Sequence, residues 1–96
     1  MLFHCQIHIN LSDNISAEAT DNLYSKEFQQ GTRLMESGKL VSIWRISGKR
    51  ANISLYDVRD RVELDDCLRS LPLYPFMEIV ITELETHPLT HRSGLP

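Results

Sequence analysis

Two cysteines, four glycines and four prolines are all that this 96-residue chain carries, and no stretch of it stays apolar for long. The two cysteines, without any CxxC spacing, exclude a disulfide-stapled secreted scaffold. Cys5 and Cys67 each sit among apolar neighbours and are read as reduced, packed thiols. No run is long enough for a membrane span, and the opening MLFHCQIHIN lacks the basic lead of a secretion signal. The expectation is a soluble, cytoplasmic protein with no membrane contact. Positive charge is also scarce: the net charge is −3, and the cations are scattered apart from the adjacent Lys49 and Arg50. That pattern gives no footprint for nucleic acid.

Missing too are a glycine-rich phosphate loop, a Ser-His-Asp order and a Cys-His nucleophile pair. His4 and His8 share one face of a strand but stand about 13 Å apart, too far to chelate one ion. His87 and His91 lie in a proline-broken tail. No metal site is expected.

What the chain does have suffices for a single core. The apolar fraction is 42% and the charged fraction 24%, ordinary for a globular protein. A chain of this size buries about 60–70% of its unfolded surface. One domain is expected over 1–96, with a tail from about residue 86.

LFHCQIHIN alternates apolar and polar residues with a period of two, the mark of a half-buried strand. Ser16 is a good N-cap for a helix running from Ala17 to about Ser37, which Gly38 closes. KLVSIWRIS and ANISLYDV are β-rich and flank Gly48-Lys49-Arg50, which predicts a hairpin. Val62, Leu64, Cys67, Leu68 and Leu71 recur at helical spacing until Pro72, and a last strand follows Pro75. The order βαββαβ with right-handed crossovers predicts an α+β, ferredoxin-like fold: a four-stranded antiparallel sheet with two helices on one face. Simple alternation puts Trp44, Ile46, Tyr56 and Val80 on the other face, too much apolar surface for a comfortable monomer. A dimer packing sheet against sheet is expected.

The first helix contains an anomaly. Its buried row runs Ile15, Ala19, Leu23, Glu27, Gly31, Met35, so a carboxylate and then a missing side chain interrupt the apolar stripe. No Lys or Arg stands three or four residues from Glu27. Desolvation without a local cation raises a carboxylate's pKa, one route to a general base. Gly31, about 1 kcal/mol worse than Ala in a helix, leaves room for a small ligand one turn away. A second reading stays open at this point: Glu27 sits at the edge of the stripe and pairs across the fold, with Arg45 the obvious partner.

MLFH, LVSIWRISGKRANISLYDV, SLPLYPFMEI and His87-Pro88 together resemble the muconolactone isomerases of aromatic-compound breakdown, over nearly the whole chain and in the same order. The resemblance implies a dimeric α+β barrel, five such dimers in a decamer, and no metal or organic cofactor. It implies a reaction that shifts a proton in muconolactone to give 3-oxoadipate enol-lactone, in the catechol branch of the β-ketoadipate pathway. The family places a glutamate where Glu27 stands, the base that takes and returns the proton. Arg45, Lys49 and Arg50 are then candidates to hold the substrate carboxylate, with Asn52 and Ser54 as neutral donors. Many relatives carry His-Tyr in place of Lys49-Arg50, so an altered substrate preference is expected. Two alternatives share the scaffold: a dehalogenase of a chlorinated muconolactone, and a non-catalytic domain for small-ligand binding or assembly. A haem- or quinol-oxidising enzyme of related architecture is more distant.

Overall fold

The structure, a computed structural model, describes residues 1–93, so the end of the expected tail lies outside the described residues. Strand β1 (Leu2–Ile9) leads through a polar turn to helix α1 (Ala17–Glu36), then to the hairpin β2 (Leu40–Arg45) and β3 (Ala51–Asp57). Helix α2 (Arg61–Arg69), a 3₁₀ turn (Tyr74–Phe76) and β4 (Met77–Leu84) complete the βαββαβ order. The strands lie in the order β2-β3-β1-β4, every pairing antiparallel, as the sequence predicts.

Local chemistry sets the ends of α1. The Ser16 hydroxyl accepts from the Ala19 N–H at 3.1 Å. At the other end Gly38 adopts φ +78°, and the Lys39 and Gly38 N–H groups donate back to the Leu34 and Met35 carbonyls. This is the Schellman arrangement, which favours glycine at the left-handed position. Asp60 caps α2 by accepting from the Glu63 N–H at 2.9 Å. The expected tail contains one short helix, α3 (Pro88–Ser93). Six residues are too few for periodicity to reveal it. His91 lies beyond the described side chains.

Phe3, Cys5 and Ile7 from β1 form the floor of the core, which α2 covers with Leu64, Cys67 and Leu68. Both thiols are free and buried, and burial pushes Cys5 up to about 11. Tyr56 does not lie on the open face as simple alternation had it. It faces Phe3 across the β1–β3 pairing and is only 1% exposed. β3 is inverted relative to the usual rule: Ile53 and Leu55 face out, while Asn52, Ser54 and Tyr56 face the helices. Trp44 and Val80 do lie on the open face, 69% and 66% exposed.

A second irregularity is the register shift between Leu40 and Ser42 in β2, which leaves Val41 as the extra residue. The bulge re-aims the strand, so that Leu40, Ile43 and Arg45 all turn toward the helix layer while Val41 is exposed. Without it, residues of opposite parity would point to opposite faces.

Leu64 is fully buried beneath α2. Leu64→Ala is expected to destabilise the fold by about 2–5 kcal/mol, read as a lower urea midpoint at unchanged slope.

Candidate active site

Of the twenty residues of α1 only Leu34 is buried, because the face turned to the sheet borders a pocket instead of packing tightly. That pocket has a volume of about 640 Å³ and lies between α1, the inner face of the sheet and the Leu71–Leu73 turn. Such a volume is ordinary for a small-molecule site. Its walls are largely apolar, with Ile7, Ile9, Leu40, Ile43 and Met77 from the strands and Phe28 and Met35 from α1. Glu27, Arg45, Lys49, Arg50, Asn52 and Ser54 all line it together. Gly31 lines it as well, and an added Cβ there would meet no atom within 4 Å.

Glu27 is held by the backbone rather than by a cation. Pro72 breaks the helical pattern after α2, and the Leu73 N–H, buried at the following turn, donates to Glu27 Oε1 at 2.9 Å. The cross-fold pair with Arg45 does not form: no ion pair of Glu27 exists among the described residues. Burial raises the Glu27 pKa, and the Leu73 hydrogen bond lowers it by less. One turn further along α1, Gln30 donates to the Ser70 hydroxyl at 2.9 Å, and Ser70 donates to the Cys67 carbonyl at 2.6 Å. These bonds fasten α1 to the end of α2 at two successive turns.

The polar groups divide along the pocket. Arg45 pairs with Asn52 across β2 and β3, and Lys49 and Arg50 stand in the adjoining hairpin, so the cations gather at one end. All three cations are solvent-exposed. Ser54 is buried, and its hydroxyl donates to Asn52 Oδ1 at 2.7 Å. Its proton is thus committed, and the bond turns the Asn52 amide so that its N–H groups remain available. Ser54 thus orients Asn52, the other neutral donor candidate.

Three contributors to the site were missed in the sequence. The Leu73 N–H is a backbone donor that no side-chain motif announces, although Pro72 marks the break that exposes it. Tyr24, from α1, is another. Simple alternation puts Tyr56 on the wrong face, yet it lines the pocket. Its hydroxyl takes part in no hydrogen bond among the described residues, and no buried side-chain oxygen there lacks a partner. The hydroxyl is therefore not wholly enclosed, although the residue is only 1% exposed, and the residue lines the pocket. Burial raises its pKa, with smaller contributions from the Cys5 and Cys67 thiols and the Glu27 carboxylate. No group of three or more His, Cys, Asp or Glu suited to a metal ion occurs among the described residues.

A family model described as muconolactone delta-isomerase matches residues 1–90. Muconolactone Delta-isomerase 1 of Acinetobacter lwoffii is 38% identical over 93 residues, 97% of each chain. The muconolactone Delta-isomerase of Acinetobacter baylyi is 36% identical over the same share of both chains. Among solved structures, a crystal structure of muconolactone isomerase superposes with a TM-score of 0.86 at 35% identity, covering 92% of each chain.

The buried carboxylate has a consequence for stability. Below the ordinary value of 4.5, both folded and unfolded chains keep the Glu27 proton and no penalty arises. As the pH rises from there through the raised native value, the unfolded chain releases its proton first. Stability falls across that window and stays lower above it. Glu27→Gln keeps an oxygen for the Leu73 N–H and is expected to melt at a higher temperature than the unaltered protein at neutral pH. The gap should close as the pH falls past 4.5, which paired thermal melts across that range would measure.

Proposed function

The chain belongs to the muconolactone delta-isomerase family and is an enzyme of that family; from this premise we propose that it shifts a proton within muconolactone, with Glu27 as the base. The observation that carries the assignment is a half-buried carboxylate of raised pKa, free of any cation and fixed at the wall of a pocket. A carboxylate so raised is a stronger base than an ordinary glutamate. Glu27 takes a proton from one carbon of the five-membered lactone, and the electron pair spreads onto the ring carbonyl oxygen as an enolate. The same carboxyl group returns the proton to another ring carbon, giving 3-oxoadipate enol-lactone. One proton leaves and one arrives, so the step calls for no cofactor and no net redox change.

Arg45, Lys49 and Arg50 hold the substrate's free carboxylate at the other end of the pocket, with the Asn52 amide beside them. Guanidinium forks suit that task. Lys49 and Arg50 make this end strongly cationic, which favours lactones with an anionic arm. No observation favours the halide-expelling or the non-catalytic reading.

The open face of the sheet supports self-association. Trp44 and Val80 stand exposed there beside the partly covered Ile53 and Leu55. A second copy laid sheet to sheet buries them, and five such pairs build the decamer that the resemblance implies. A cytoplasmic site of action agrees with the free thiols, and no helix among the described residues is long and apolar enough to cross a membrane.

Glu27→Gln is expected to lower kcat for muconolactone by about 10²–10⁴-fold while the fold is retained. In the unaltered protein kcat/KM should fall as the pH drops through the raised Glu27 value, on the alkaline side of 4.5. Arg45→Gln should act mainly on KM, raising it about tenfold or more. Steady-state assays following the enol-lactone decide each of these; undiminished turnover by Glu27→Gln removes it as the base. For the assembly, Trp44→Glu is expected to shift the sedimenting species toward monomer, and an unchanged species would refute the sheet-to-sheet pairing.

A further inference from the structure

An enolate formed beside Glu27 puts negative charge on the ring carbonyl oxygen, and a site that speeds this step places a hydrogen-bond donor there. The obvious donors are already engaged or distant. Ser54 gives its proton to Asn52 Oδ1. The Leu73 N–H is taken by Glu27 itself. Arg45, Lys49, Arg50 and the Asn52 amide gather at the hairpin end, where the proposed carboxylate sits.

Tyr56 remains. It shares the inward face of β3 with Asn52 and Ser54, four residues beyond Asn52, which is about 13 Å along the strand. Its ring is buried against Phe3 and Leu40, its immediate neighbours on the adjoining strands. Its hydroxyl has no partner among the described residues, yet it is not a sealed orphan, and the residue lines the same pocket as Glu27. Glu27, near the middle of α1, lies close enough for its charge to act on the Tyr56 phenol. Arg45 and Tyr56 thus stand toward opposite ends of the β2–β3 pairing, and Glu27 lines the same pocket as both.

We propose that the Tyr56 hydroxyl is the donor that stabilises the developing enolate oxygen of the lactone. The assignment rests on the isomerase reading of this pocket. The step balances simply: the O–H bond of Tyr56 stays intact throughout, the hydroxyl hydrogen-bonds to the oxygen that gains charge, and the only proton that moves is carried by Glu27. Burial raises the pKa of the phenol, which therefore keeps its proton at neutral pH.

The test uses Tyr56→Phe, which removes only an oxygen without a protein partner and so leaves the melting temperature no lower. With muconolactone, kcat is expected to fall at least tenfold, toward the 10²–10³-fold typical of a lost oxyanion donor, while KM changes less than twofold. Deuterium uptake into the lactone ring from heavy water should slow in parallel. A fall in kcat of less than tenfold, or a change confined to KM, overturns the proposal while leaving Glu27 as the base. Absence of lactone turnover by the unaltered protein ends the isomerase reading and this assignment with it. Should Tyr56→Phe melt lower, fluorotyrosine at position 56 decides: its more acidic hydroxyl must change kcat, and an unchanged kcat overturns the proposal.

Discussion

One hydrogen bond, from the Leu73 N–H to Glu27 Oε1, joins the two halves of the molecule on which the site depends. Each group needs the other. Leu73 is fully buried just past the proline that ends the helical run, so its N–H would otherwise be an unsatisfied donor in the interior. Glu27 would otherwise be a half-buried anion without compensation. A neutral donor satisfies the carboxylate without neutralising it, as a lysine or arginine would. That is why the group stays both fixed in place and basic. The Gln30–Ser70 bond one turn away repeats the attachment and sets the height of α1 above the sheet.

The pocket follows from where the fold declines to pack. α2 covers its part of the sheet with Leu64, Cys67 and Leu68, and that half of the core is closed. α1 contributes a single buried leucine, and beneath it β3 turns Asn52 and Ser54 inward where Ile and Leu would usually go. The same strand puts its aliphatic residues on the outer face. Inverted polarity on a central strand thus creates the polar lining of the pocket and the apolar outer surface at once. A polar pocket within and an apolar face without are two results of one pattern.

Much of this was legible in the chain. The βαββαβ order came from periods of two and of 3.6, and the limits of α1 came from Ser16 and Gly38, because these are local effects of neighbouring residues. Glu27 and Gly31 stood out because they broke a stripe, and a broken stripe is visible without coordinates. Tyr56 was misplaced because strand alternation fixes parity but not which parity faces the helices. The usual guide, apolar side inward, fails on β3. The bulge at Val41 was invisible for a related reason: it depends on pairing across strands, which no single strand encodes. The Leu73 donor lies in the backbone, where side-chain patterns have nothing to say. The short α3 offered too few turns for a pattern.

Gly31 adds a consequence for how such a chain can change. The helix would gain from almost any residue with a β-carbon at that position, and the surroundings offer no steric objection. Selection for heat tolerance alone would therefore find an easy improvement there, and each methyl it gained would be taken from the pocket that the glycine lines. Robustness of the helix and size of the cavity are set against each other at a single hydrogen atom.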